Sequence, residues 1–300
     1  MLPFSADRRA ADGTEDHDAL ADQPDSAKAD VRTPAFPAVQ ASEAADGFFL
    51  LRAQALLAGR EEMSLAEFDR RLGLRPLAGL DEAGRGPLAG PLVAAAVVLP
   101  DSFDDPAVND SKKLGPQERE TAFELVTRQA LAWAYAVKSP QEVDRLNPLK
   151  ASMTAMAEAL AALPLRPLLA LVDGDQAPRL PCQTLTVVRG DGRSLSVAAA
   201  SIVAKVVRDR LMLEEHRRWP DYGFDRHKGY GTAEHLRALA RLGPSPIHRR
   251  SFRGVPAAAE AGEARLLPPA ELLAAGRTAA VSRPPKRPSG RPRGQSRKSS

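Results

Sequence analysis

Cysteine is almost absent from this sequence, since Cys182 is the only one in 300 residues. An intrachain disulfide is therefore excluded, as is typical of proteins from a reducing compartment. No apolar stretch reaches the roughly 18–20 residues of a membrane span. The first residues carry Asp and Glu where a secretory signal has an apolar core. We therefore expect a cytoplasmic protein that has no membrane segment.

The two ends of the chain differ in the sign of their charge, and both contain few large apolar residues. Residues 1–46 contain few large apolar side chains and hold ten Asp or Glu against four Lys or Arg. Residues 277–300 contain no acidic residue and hold eight Lys or Arg among Pro, Ser and Gly. Neither end can bury enough apolar surface to offset its conformational entropy. We predict a disordered acidic leader over 1–46 and a disordered basic tail over 277–300.

The net charge of +4 hides this asymmetry. Without the leader, the remaining chain is distinctly basic, which favours a polyanionic partner. A purely solubilising role for the tail is the alternative.

Apolar runs of strand length alternate with helical segments over residues 76–255, a pattern that favours the α/β class. The predicted strands cover residues 77–80, 92–99, 132–138, 168–172 and 184–188. The predicted longer helices cover residues 116–130, 149–163, 194–217 and 232–242. A capping pattern, Ser64-x-x-Glu67, predicts a helix over Ala66–Leu72 within a short helical extension at 47–75. A further helix is expected over 256–276.

Four carboxylates end or follow three of the apolar runs: Asp81 with Glu82, Asp173, and Asp191. Ligand sites collect at strand ends in α/β sheets. A single aspartate there can simply begin a turn, but four converging carboxylates would repel one another unless they shared cations. Two hard divalent ions about 4 Å apart would satisfy them and would suit in-line displacement at phosphorus.

The segment Gly84-Arg85-Gly86 follows the first carboxylate pair. Glycines let the backbone approach a ligand closely, so this loop can bind a phosphate or a sugar hydroxyl. The alternative is a dinucleotide fingerprint, because Gly84-x-Gly86-x-x-Ala89 has the form G-x-G-x-x-A. That motif should open a helix, whereas Pro87, Pro91 and the valines that follow indicate a strand.

Three further basic segments are candidates for binding a polyanion. Lys112 and Lys113 precede a predicted helix, where they can reach phosphates or remain a solvated pair. Tyr230 lies between glycines in His227-Lys228-Gly229-Tyr230-Gly231 and can stack on a base or sugar, unless it is a core residue. The run His248-Arg249-Arg250-Ser251-Phe252 adds positive charge, which would otherwise be ordinary surface charge.

Over about residues 76–255 these motifs together resemble bacterial ribonuclease HII. The segments that carry the resemblance occur in the family's order: Gly79-Leu80-Asp81-Glu82-Ala83-Gly84-Arg85-Gly86-Pro87, Asn109-Asp110-Ser111-Lys112-Lys113-Leu114, Val172-Asp173-Gly174, Arg189-Gly190-Asp191, Ala199–Asp209, Tyr222-Gly223-Phe224, His227-Lys228-Gly229-Tyr230 and His248–Phe252. The resemblance implies a ribonuclease H-like fold, a mixed five-stranded sheet flanked by helices, with a helical C-terminal part.

The resemblance also implies roles for individual residues. The family's metal cluster, which binds Mg²⁺ or Mn²⁺, falls on Asp81, Glu82, Asp173 and Asp191. The loop Gly84-Arg85-Gly86 would read the ribose 2′-hydroxyl. Tyr230 would pack on the sugar just 3′ of the scissile phosphate, and Lys112 and Lys113 fall near the nucleic-acid backbone.

Two departures from the family pattern are modest. Arg189 stands where lysine is usual. Asp175 adds an acid beside Asp173, and we expect it to point away from the metals.

The implied activity is that of an endoribonuclease. It would cut the RNA strand of RNA–DNA hybrids and ribonucleotides embedded in duplex DNA, leaving 3′-hydroxyl and 5′-phosphate ends. We expect a monomer with no organic cofactor. A non-catalytic nucleic-acid binder is the main rival, but four acids facing a phosphate backbone would weaken binding in the absence of metal.

Overall fold

The computed structural model describes Phe49, residues 53–59 and residues 63–256. The predicted leader over 1–46 and the predicted tail over 277–300 lie outside the described residues. The helix expected over 256–276 also lies outside them, except for Pro256. Among the described helices, none is both long and apolar enough to cross a bilayer.

A mixed five-stranded sheet forms the centre of the fold, in the strand order β3-β2-β1-β4-β5. The strands are β1 (Leu77–Ala83), β2 (Leu92–Val98), β3 (Ala132–Lys138), β4 (Leu169–Asp173) and β5 (Gln183–Val187). Strand β2 pairs antiparallel with both β1 and β3, whereas β4 pairs parallel with β1 and β5. The predicted α/β class and mixed sheet are confirmed.

Strand β1 is longer than the sequence predicts. It continues past Leu80 to Ala83, because its antiparallel partner β2 keeps pairing with it at Asp81 and Glu82. The two carboxylates therefore lie within the strand and not in a loop after it.

Seven α-helices lie wholly within the described part of the chain. They are α1 (Leu65–Leu72), α2 (Pro116–Gln129), α3 (Pro140–Leu146), α4 (Pro148–Ala161), α5 (Leu195–Arg218), α6 (Phe224–His227) and α7 (Ala233–Leu242). Residues 53–58 are also helical. Helix α1 begins at Leu65, one residue before the predicted start, after Ser64, whose hydroxyl accepts the Glu67 N–H. It ends at the left-handed Gly73. The Glu67 carboxylate accepts from Arg70 and Arg71.

Helix α5 covers one face of the sheet and α4 covers the other. On β2, Val93, Ala95 and Val97 face α5, and the alternate residues face α4. Every residue of β2 is buried, which explains its unbroken apolar sequence. Helix α5 packs so closely on β1 that a Cβ at Gly79 would lie 2.1 Å from the Ser196 carbonyl carbon.

Two smaller packing regions adjoin this core. Helix α1 is joined to the start of α5 by Asp69, whose Oδ2 accepts from the Ser196 N–H and hydroxyl, each at 2.8 Å. At the other end, Met212 of α5 packs with Phe224, Leu239 and Ile247 to form the core of the helical C-terminal part. Both contacts fix the two ends of α5 relative to the sheet.

Candidate active site

The candidate carboxylates meet at the carboxyl ends of the parallel strands. Leu80 of β1 pairs with Val172 of β4, so the next residues, Asp81 and Asp173, are neighbours at one edge. Asp173 also accepts the Gly190 N–H at 2.6 Å through Oδ1. That bond draws the turn after β5 inwards and places Asp191, the residue after Gly190, beside the strand ends.

Glu82 reaches the same edge from the other face of the sheet. Side chains alternate along a strand, and Asp81 pairs with Ala95 on the α5 face, whereas Glu82 pairs with Ala94 on the α4 face. The four carboxylates therefore converge from both faces around the end of β1.

Burial and mutual repulsion dominate the electrostatics of this edge. The Asp81 side chain is only 4% exposed. Its burial, followed by the nearby charges of Glu82 and Asp173, raises its pKa well above the usual range. Burial also raises the pKa values of Glu82 and Asp173. This edge of the sheet is therefore short of positive charge.

Two flexible cations partly compensate for that shortage. Lys112 Nζ donates to Asp191 Oδ2 at 2.6 Å, and Arg85 Nη1 lies 3.4 Å from Glu82 Oε1. The Lys112 side chain is 75% exposed whereas Asp191 is only 5% exposed, so the lysine is free to move but the buried carboxylate needs another cation in its place. Lys113 is exposed beside it. Their loop is held on α5 by the Ser111 hydroxyl, which lies 2.7 Å from that of Ser201.

The donor chemistry of this edge fits hard divalent cations, which take carboxylate oxygens. Among the described residues, no three Asp, Glu, His or Cys side chains already surround one point as a metal would require. Lys112 and Arg85 each hold one carboxylate oxygen of this edge in an ion pair.

The two glycines of the Gly84-Arg85-Gly86 loop differ in the space around them. Gly84 has a φ of 101°, and a Cβ there would lie 2.3 Å from Arg208 Nε. Packing within the protein therefore requires it. A Cβ at Gly86 would meet no atom within 4 Å. The backbone at Gly86 is open to a ligand from outside.

A fully buried arginine, Arg249, shapes this loop from below. Its Nη2 donates to the Gly84 carbonyl at 2.7 Å, its Nη1 to the Arg85 carbonyl at 3.1 Å and its Nε to the Gly90 carbonyl at 3.0 Å. The sequence shows no signal for this role, because a carbonyl acceptor exists at every residue.

The predicted positive charge of the run His248–Phe252 needs correction. His248 is buried, and burial lowers its pKa to about 3, so its imidazole is neutral at physiological pH. Arg249 is enclosed by carbonyls, and only Arg250 of the three basic residues is exposed. The run is mainly structural.

Tyr230 lies on the surface with 44% of its area exposed. Its ring stands over the Arg208 guanidinium, 5.5 Å from the ring centroid. The alternative prediction, that Tyr230 is a core residue, is therefore wrong. Asp175 is exposed and Asp173 is only partly so.

Comparisons with known proteins agree on one family. A family model described as Ribonuclease HII matches residues 78–255. The ribonuclease HII of Syntrophotalea carbinolica is 54% identical over 198 residues, covering 65% of this chain and 95% of the relative. That of Geobacter sulfurreducens is 54% identical over 185 residues, covering 62% and 85%. The crystal structure of the ribonuclease H2 from Pyrococcus horikoshii superposes with a TM-score of 0.52 at 27% identity, covering 60% of this chain and 94% of that one.

Proposed function

The chain belongs to the ribonuclease HII family and is a nuclease of the ribonuclease H type, and we propose that it cuts beside ribonucleotides in two settings. These are the RNA strand of an RNA–DNA hybrid and a ribonucleotide embedded in duplex DNA. The products would carry 3′-hydroxyl and 5′-phosphate ends. Discrimination against DNA must come from the 2′-hydroxyl, the group that DNA lacks.

One observation supports this proposal above the others, the convergence of four carboxylates at one sheet edge. We propose that Asp81, Glu82, Asp173 and Asp191 hold two divalent ions, Mg²⁺ or Mn²⁺. When bound, such ions activate water for attack on phosphorus and stabilise the departing 3′-oxygen. The raised pKa values of Asp81, Glu82 and Asp173 support a cationic ligand, because each carboxylate gains from added positive charge.

The remaining candidate residues then bind and orient the substrate. The open backbone at Gly86 can approach the ribose, with Gly84 and Arg85 completing the loop. Lys112 and Arg85 are exposed cations that can turn from the carboxylates to phosphates, and Lys113 lies beside them. Tyr230 offers an exposed ring to the neighbouring sugar. All of these residues lie on one chain, so the proposal needs neither a second subunit nor an organic cofactor.

The test is cleavage of a duplex that carries a single ribonucleotide, with Mg²⁺, by wild type and by Asp81→Asn. We expect the variant to lose on the order of a hundredfold or more in rate, the scale on which one preorganised electrostatic group acts. It should be at least as stable as wild type, because a buried carboxylate next to three others is neutralised. Asp175, an exposed carboxylate two residues after Asp173, offers a matched control. Asp175→Asn should keep wild-type activity.

Two results would contradict these assignments. Equal activity of wild type and Asp81→Asn would refute the assignment of Asp81 to the metal site. Cleavage of an all-DNA duplex as fast as the single-ribonucleotide duplex would refute recognition of the 2′-hydroxyl.

A further inference from the structure

We propose that Arg208 is a positioning residue that makes the Gly84–Gly86 loop and Tyr230 act as one recognition unit. This inference rests on the proposed function, which assigns ribose recognition to the loop and the adjacent sugar to Tyr230. It adds that these two recognition events are energetically coupled, and that a buried guanidinium on α5 carries the coupling.

Arg208 binds the segment that follows the Gly84–Gly86 loop and the segment before Tyr230 at once. It is fully buried on α5. Its Nε donates to the Pro91 carbonyl at 3.0 Å, and its Nη2 donates to the Ala89 carbonyl at 3.4 Å. The same Nη2 donates to the Lys228 carbonyl at 2.9 Å, two residues before Tyr230. One side chain thus joins the segment that follows Gly86 to the segment that presents the tyrosine.

The two loops are also packed directly against each other. The Leu88 N–H donates to the Gly229 carbonyl at 2.9 Å. A Cβ at Gly229 would lie 2.2 Å from the Ala89 carbonyl oxygen, and a Cβ at Gly84 would lie 2.3 Å from Arg208 Nε. Glycine at these positions leaves no space between the loops and the guanidinium, so a shift of one loop is transmitted to the other.

Arg208 has no carboxylate in direct ion-pair contact among the described residues, although the charge of Asp209 lies near enough to favour its protonated form. Within the described part of the chain, no acidic side chain lies within ion-pair distance of Arg208, and its buried Nη1 has no hydrogen-bond partner. Arg249, a second buried cation, lies nearby, and its burial, followed by the charge of Arg208, lowers the pKa of Arg249 to about 9. The Tyr230 ring therefore adds to the carbonyl acceptors and to Asp209 in stabilising Arg208, since a cation over an aromatic face gains most when desolvated.

A functional consequence follows. When Tyr230 packs on a sugar, the environment of the guanidinium changes, and the guanidinium holds the carbonyls of Ala89 and Pro91. Binding of the adjacent sugar should then improve the fit of the ribose-reading loop. Loss of either Arg208 or Tyr230 should break the same link.

A double-mutant cycle tests this coupling. The variants are Arg208→Lys, which keeps the charge but loses the planar fork, Tyr230→Leu, and the double variant. The measurement is kcat/KM for a duplex with one ribonucleotide. We expect each single change to cost about tenfold and the double change to cost about tenfold as well, not a hundredfold. A hundredfold loss in the double variant would mean independent roles and would overturn the proposal.

Arg210 provides a matched control on the same helix. Its guanidinium stands 4.6 Å from the Phe123 ring centroid and its Nη2 donates to Glu120 Oε2 at 2.6 Å, away from both loops. Arg210→Lys should keep wild-type kcat/KM. Combined with Tyr230→Leu, it should behave as Tyr230→Leu alone.

A second measurement leaves Arg208 intact and so does not depend on the folding of its variants. Binding of duplexes with one ribonucleotide or with deoxyribonucleotide at the same position is measured in EDTA, for wild type and Tyr230→Leu. A simple loss of stacking would weaken both duplexes equally, whereas coupling lowers the ribo-to-deoxy affinity ratio several-fold. An unchanged ratio would refute the coupling. Failure of the wild type to cleave the single-ribonucleotide duplex in a separate assay with Mg²⁺ would refute the proposed function instead, so the two failures are distinguishable.

Discussion

A buried pair of histidines beneath Tyr230 predicts how stability depends on pH. The Ser245 N–H donates to His248 Nδ1 at 2.9 Å, so the proton of His248 lies on Nε2. That Nε2–H faces His235 Nε2 at 3.0 Å, and His235 in turn donates through Nδ1 to the Tyr230 carbonyl at 2.9 Å. Every bond in this chain requires neutral rings. A second proton on His248 would lie on Nδ1 and face the Ser245 N–H, and a second proton on His235 would lie on Nε2 and face the His248 Nε2–H.

The magnitude follows from the shift in His248. Burial, together with the neighbouring His235, lowers its pKa from 6.5 to about 3. The unfolded chain keeps a value near 6.5, so between pH 6.5 and about 3 it binds a proton that the folded chain does not. Stability is therefore lost as the pH falls through this window, by about 1.4 kcal/mol per pH unit. From pH 7 to pH 5, His248 alone should cost about 2 kcal/mol.

The assay is urea unfolding of wild type and His248→Gln at pH 7 and at pH 5. Only the difference between the two proteins is informative, because the raised pKa values of Asp81 and Asp173 act in the opposite direction in both. We expect the advantage of wild type at pH 7 to shrink by about 2 kcal/mol at pH 5.

The exposed residue next to His235 provides the control. Leu236→Gln introduces no titrating group, so its effect should be the same at both pH values. If the advantage of wild type over His248→Gln is equally independent of pH, the neutral histidine chain is wrong.

Two further substitutions test the packing and the charge of the site. Gly79→Ala should destabilise the fold by about 3 kcal/mol or more, since its Cβ would meet the Ser196 backbone at 2.1 Å. Gly192→Ala, whose Cβ would meet no atom within 4 Å, should change the urea midpoint little. Lys112→Ala removes the competing cation from Asp191 and should lower the half-saturating Mg²⁺ concentration for cleavage at least about two- to fivefold, because the range for a fully exposed ion pair is a lower bound when the carboxylate is buried. Lys113→Ala is the matched control, and an equal shift in both variants would refute the competition.

The carboxylate cluster could be predicted from the sequence because its signal is local. Asp173 and Asp191 each follow an apolar run of strand length, and strands of that kind end at a common edge when they are parallel. The length of β1 could not be predicted in the same way. Its continuation through Asp81 and Glu82 depends on pairing with Ala95 and Ala94 of β2, and no property of the two acids themselves predicts that pairing.

The supporting residues could not be predicted because their partners are backbone carbonyls. Arg249 and Arg250 are adjacent and chemically identical, yet one is fully buried and the other is exposed. What separates them is a set of carbonyls between Gly84 and Gly90, which lie 159 to 165 residues earlier in the chain. Carbonyls are present at every residue, so sequence composition does not mark the acceptor.

The glycines of the two loops are the sequence feature that reflects the close packing around Arg208. Gly84 and Gly229 have positive φ angles and no room for a Cβ, and both are needed because Arg208 and the Ala89 carbonyl lie so close. A glycine-rich loop in a sequence therefore indicates that something approaches the backbone, without saying whether it is a ligand or the protein itself. In this chain the two cases occur within three residues: Arg208 fills the space at Gly84, whereas a Cβ at Gly86 would meet no atom within 4 Å.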